Sequence, residues 1–120
     1  AAETIRLRAT VGTQTMLLMV DSGSTHNFVN LAFATRIGVT TTSIPTFMVR
    51  VANGQRLNCT SMVQNLQWLT HGQEFTIDMS VLDLRVYDAV LGVDWLAQHS
   101  PMQCDWKQKT IQFQQQVTSV

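Results

Sequence analysis

Asp21-Ser22-Gly23 closes the apolar run Met16-Leu17-Leu18-Met19-Val20. A carboxylate at the end of a buried strand is costly unless polar groups hold it. The following Ser-Gly-Ser supplies hydroxyls and flexible backbone N–H groups that can do so. An acid held this way is presented for proton transfer. The same residue types also make an ordinary polar turn, so the tripeptide alone leaves both readings open. A second element further along weighs on the choice. Ala89-Val90-Leu91-Gly92-Val93-Asp94-Trp95-Leu96 is again an apolar strand running into a glycine, followed by a short helical pattern.

Taken together, Met19-Val20-Asp21-Ser22-Gly23 and Val90-Leu91-Gly92 resemble the paired motifs of retropepsin-like aspartic proteases. The extended forms, residues 21–28 and 90–96, are most similar to the protease of gypsy-type LTR retrotransposon polyproteins. The resemblance spans about residues 4 to 113. It implies a mainly β fold, a closed barrel with a flap hairpin and one or two short helices. It implies an aspartic endopeptidase with Asp21 as the acid and Ser22 and Gly23 completing the catalytic motif. Ser22 would brace the partner's loop, and Gly23 would let its backbone approach carboxylate and substrate. Ser24, Thr25 and His26 fall where relatives contact substrate, and Ser24 is also placed to hydrogen-bond Asp21. His26 reads first as an exposed loop histidine, and second as a source of pH-dependent specificity. Val51, Asn53, Gly54 and Gln55 take the place of the flap, which in this family closes over the peptide. Val90, Leu91 and Gly92 would pack beneath the catalytic loop. Asp94 reads as a helix-start residue rather than a second acid.

Acid-catalysed peptide hydrolysis needs two carboxylates sharing one water. The chain has a single Asp-Ser-Gly, and its other aspartates lack that context. The resemblance therefore implies a homodimer, with Asp21 of each copy meeting on a two-fold axis. The chain ends, residues 1–5 and 112–120, are the candidates for an interleaved sheet. The implied substrate is a peptide within a retrotransposon polyprotein, and the implied setting is cytoplasmic, virus-like particles included. Two other readings remain: a retropepsin-like dimerisation or peptide-binding module with little catalysis, and a cellular aspartic protease of the ubiquitin-adaptor type. The Ser24 pattern allows the latter; residues 93–96 favour the retrotransposon branch.

Length and composition suit one small domain over residues 1–120. Eight basic and eight acidic residues balance, so no nucleic-acid footprint or acidic-membrane surface is indicated. No apolar run approaches bilayer length. The chain lacks an initial Met and a signal-peptide pattern, which reads as a processed domain. Cys59 and Cys104 lack metal-ligand spacing, and His26, His71 and His99 are scattered. No metal or other cofactor is expected, and the cysteines read as buried thiols in a reducing compartment. Asn58-Cys59-Thr60 matches the glycosylation pattern, which carries little weight by itself.

The elements that must position Asp21 follow from pattern. Residues 4–10 alternate as a half-buried strand, and residues 14–20 return after Gly12-Thr13. Asn27 or Asn30 caps a short helix over Leu31, Ala32, Ala34 and Ile37, with Gly38 at its C-terminus. Residues 40–43 and Pro45 read as a connection. Runs 47–51 and 55–63 flank Ala52-Asn53-Gly54, a hairpin signal. Runs 66–69 and 74–82 flank Thr70-His71-Gly72, a second hairpin. Residues 86–91 read as strand, 94–98 as a short helix stopped before Pro101, and 109–114 as a last strand, with 115–120 frayed. Trp68, Trp95 and Trp106 read as core packing, since no basic stripe accompanies them.

Overall fold

A computed structural model describes residues 4–50, 54–84, 86–92, 102–105 and 107–113, with the backbone alone at 102–105 and 110–113. Nine strands and one helix occur among these: β1 (Thr4–Val11), β2 (Gln14–Asp21), β3 (Phe28–Asn30), α1 (Leu31–Ile37), β4 (Thr42–Arg50), β5 (Arg56–Thr70), β6 (Gln73–Leu82), β7 (Ala89–Leu91), β8 (Met102–Asp105) and β9 (Thr110–Phe113). The first seven form one sheet in the order β1-β2-β7-β3-β6-β5-β4. Thr10 of β1 also stands opposite Leu69 of β5, which closes β1, β2, β7, β3, β6 and β5 into a barrel. The Thr70 hydroxyl, buried at the seam, donates to the Arg8 carbonyl at 2.8 Å. β4 lies outside this ring, paired only to β5 in the sheet.

The barrel interior is filled by alternate residues of its strands. Ile5, Leu18, Val20, Trp68, Met79 and Leu91 are all essentially inaccessible to solvent. Trp68 stacks on Phe75 with centroids 4.6 Å apart. Burying each such side chain stabilises the fold by roughly 1.5–3 kcal/mol. The other face of the same strands is covered too. Phe28, Cys59, Leu82 and Val90 form a second apolar cluster with Phe47 and Val49 of β4. Covering both faces explains why residues 16–20, 81–82 and 89–91 are continuous apolar runs rather than alternating ones.

Four expectations are revised. Residues 40–45 do not all form a connection, because β4 starts at Thr42 and runs through Pro45. Proline lacks a ladder N–H and is tolerated here because β4 is an edge strand whose register shifts between Ser43 and Phe47. The two runs 55–63 and 66–69 are one long strand, β5, whose register shifts between Val63 and Leu66. Asn65 takes up that shift at φ 55°, and its N–H is received by Asp78 Oδ1 at 2.8 Å. The helix forms as expected over Leu31–Ile37 with Gly38 left-handed at its C-cap, and it buries Phe33 and Ala34. Asn30 is its N-cap residue but makes no side-chain capping bond. Residues 86–88 are not strand; only Ala89–Leu91 pair. The expected second helix at 94–98 and the frayed end at 115–120 lie outside the described residues.

Candidate active site

Asp21 is the last residue of β2. β2 and β7 run parallel, with Val20 opposite Leu91, so Asp21 and Gly92 leave the sheet side by side at the same end. Residues 22–27 then pass over the end of β7. The chain re-enters on its far side as β3, antiparallel, with Phe28 opposite Val90. The loop thus straddles one strand, and Gly92 lies directly beneath it. A Cβ at position 92 would stand 2.5 Å from the Ser24 carbonyl oxygen and 2.7 Å from that of His26. Both neighbours are backbone, so no side chain can turn away to make room.

Internal bonds shape the loop. The Gly23 N–H donates to Asp21 Oδ1 at 2.8 Å and orients the carboxylate. The Ser24 N–H donates to the Asp21 carbonyl at 3.1 Å, which closes the turn. The Ser24 hydroxyl donates to the His26 carbonyl at 2.7 Å. Its single proton is thereby committed to the loop backbone instead of to Asp21, contrary to the sequence expectation. Asn27 does more than begin a strand. Its Oδ1 accepts the Gly92 N–H at 2.8 Å, and its carbonyl accepts the Ser80 N–H at 2.9 Å. One residue therefore ties the Asp21 loop to both β7 and β6.

A cleft of about 650 Å³ opens beside this loop. Asp21, Gly23, Ser24, Thr25 and His26 line one side, and Met48, Val49 and Arg50 of β4 line another. Leu84, Val86 and Tyr87 of the segment before β7 complete the wall. The His26 ring lies 6.0 Å from that of Phe28 and 5.3 Å from that of Phe47, so it links the Asp21 loop to β4. Of the expected flap residues, Gly54 and Gln55 are described, whereas Val51 and Asn53 lie outside the described residues. Gly54 adopts φ 85°, a left-handed conformation that favours glycine. Among the described residues no group of three or more His, Cys, Asp or Glu gathers where it could hold a metal ion. Cys59 is a buried free thiol with Sγ 3.4 Å from the Val81 carbonyl oxygen, away from Asp21 in the second apolar cluster.

Asp88 also supports the site and was not singled out from sequence. Its Oδ2 accepts the Leu17 N–H at 2.7 Å, and its N–H donates to the Leu17 carbonyl at 2.9 Å. The Asp88 carbonyl accepts the Asn30 N–H at 2.8 Å. The residue pins the entry to β7 against both β2 and β3. The sequence marked Asn27 only as a possible helix cap, whereas Asn30 takes that place and Asn27 precedes β3 and accepts from Gly92. Asp88 carried no signal, because its partners are backbone groups far along the chain.

The family model for the PEG10/RTL1 protease domain matches residues 17–119. The chain belongs to this family. It is therefore a retroviral-type aspartic protease domain. The fold agrees with two solved structures of low sequence identity. The retroviral protease-like domain of Ddi1 from Leishmania major is 18% identical, with a TM-score of 0.70 over 92% of this chain and 88% of that one. A retropepsin-like aspartic protease from Rickettsia conorii is 17% identical, with a TM-score of 0.60 over 88% of this chain and 85% of that one. No curated protein matches in sequence. In this PEG10/RTL1-type protease domain, the retropepsin-like barrel carries the Asp21 loop on one side of a cleft that β4 lines on another.

Proposed function

We propose that the chain is a homodimeric aspartic endopeptidase whose active centre forms when Asp21 of two copies meet. The observation that carries this reading is the fixed Asp21-Gly23 loop, straddling Gly92 and facing an open cleft. Two carboxylates in contact cannot both ionise easily, so they share a proton and titrate as a pair, as aspartic-protease dyads do. The ionised member takes a proton from water as the water oxygen attacks the scissile carbonyl. The protonated member hydrogen-bonds the carbonyl oxygen and carries the developing charge. Collapse of the tetrahedral intermediate breaks the C–N bond, and a proton passes to the leaving nitrogen. The products are a carboxylic acid and an amine, with one water consumed.

Ser22 bracing the partner loop, interleaved chain ends and a flap tip at residues 51–55 belong to the same proposal. So do a retrotransposon-type polyprotein as substrate and an intracellular setting, virus-like particles included. The test is cleavage of a mixed peptide pool by native chain and by Asp21→Asn, at concentrations where sedimentation shows a dimer. The substitution keeps shape and removes the acid, so the expected loss is about a thousandfold or more. Cleavage unaffected by Asp21→Asn would overturn the mechanism. Peptide binding by a dimer that cuts nothing would instead favour a binding module on the same fold.

A further inference from the structure

The neck of the β4–β5 hairpin carries two arginines in register. Arg50, the last residue of β4, stands directly opposite Arg56, the first of β5. Directly opposed residues of an antiparallel pair project from the same face, with Cβ atoms about 5 Å apart. Like charges so placed destabilise the pairing. Both side chains are exposed, and among the described residues neither guanidinium has an ion-pair partner. The hairpin residues between them, Val51-Ala52-Asn53-Gly54-Gln55, include no acid. Arg50 also lines the cleft that holds Asp21, and it is the only Lys or Arg that does so among the described residues. The rest of that cleft wall on β4 and before β7 is largely apolar: Met48, Val49, Leu84 and Val86.

We propose that Arg50, with Arg56 behind it, is a specificity-determining pair that selects peptides carrying an acidic side chain on the hairpin side of the cleft. This rests on the endopeptidase reading above and deepens it. A bound carboxylate between two guanidiniums removes their mutual repulsion and gains charge-assisted, planar hydrogen bonds. The hairpin neck is then firmer with substrate than without it. The neighbouring apolar wall accepts an uncharged side chain, which fits an extended peptide with alternating character.

The experiment is a matched scan. One peptide, selected from a mixed pool by its binding to Asp21→Asn, is made as pairs with Glu or Gln at each position in turn. Cleavage by the native chain and binding by Asp21→Asn, read by fluorescence anisotropy, are measured for every pair. At one position the Glu peptide is expected to be preferred about five- to tenfold, a modest factor because the arginines are solvent-exposed. The preference should shrink in molar salt. It should disappear in Arg50→Gln and persist in part in Arg50→Lys, with thermal melts verifying that both variants fold. Equal use of Glu and Gln at all positions would overturn the inference while leaving the protease intact. Glu-selective binding with no cleavage would overturn the protease reading while upholding the acidic recognition. A preference that survives Arg50→Gln and Arg56→Gln together would assign it elsewhere and sink the proposal.

Discussion

Gly92 and Asn27 form the base on which the Asp21 loop rests. Gly92→Ala would drive a methyl into the Ser24 and His26 carbonyls, and neither backbone group can yield cheaply. The expected cost is about 1–3 kcal/mol, read as a lower urea midpoint, together with loss of cleavage as the loop lifts. Asn27→Ala leaves the buried Gly92 N–H without its acceptor, at a cost of about 1–3 kcal/mol. Asn27→Asp keeps an oxygen in place and should retain most of the stability. If Asn27→Ala and Asn27→Asp melt together, the bond to Gly92 is not what holds the loop.

At the scale of elements, the wall that β4 adds to the cleft depends on the shape of β5. That strand is long enough to serve two partners: its second half closes the barrel against β1, and its first half carries β4 over the cleft. The register shift at Asn65 separates the halves. Asn65 holds a left-handed conformation that costs most residues roughly 1–2 kcal/mol. Asn65→Ala should therefore destabilise by about 1 kcal/mol, whereas Asn65→Gly should be close to neutral, measured by chemical denaturation. An equal loss for both would place the effect in the Asn65 side chain rather than its backbone. The salt bridge of Arg36 to Asp88 is a weaker feature. At 3.9 Å, with Arg36 56% exposed, it contributes little beside the bonds Asp88 makes to Leu17.

For the whole molecule, the proposed dyad makes activity a property of two chains. Specific activity should rise with protein concentration until dimer dominates, then level off. Mixing native chain with an equal amount of Asp21→Asn should leave about a quarter of the activity expected of all-native dimers at the same total concentration, if copies exchange freely. Retention of half would mean that each copy works alone or that copies do not exchange. Lys109 joins the β8–β9 hairpin to the barrel, its Nζ donating to the Thr4 carbonyl at 2.9 Å. Thr4 in turn is paired with Asp21, so the start of β1, the C-terminal hairpin and the acid lie close together.

What could be read from sequence was local. The strand-then-Asp and strand-then-Gly patterns, the Gly12 and Gly72 turns and the alternation of β1 are written in neighbouring residues. Their physics is side-chain periodicity and turn geometry, which act within a few positions. The family resemblance rested on the same short stretches, and the barrel with a single described helix agrees with it. What the tertiary structure decided was long-range. Only pairing showed that β2 and β7 run parallel with Val20 opposite Leu91, which sets Asp21 beside Gly92. Only packing showed that Pro45 lies within an edge strand, that Asn27 grips Gly92, and that the Ser24 hydroxyl belongs to His26. The opposition of Arg50 and Arg56 is likewise a matter of register. Shifting a strand by one residue turns every side chain to the other face, so where the charges meet depends on the folded partner and not on the order of residues alone.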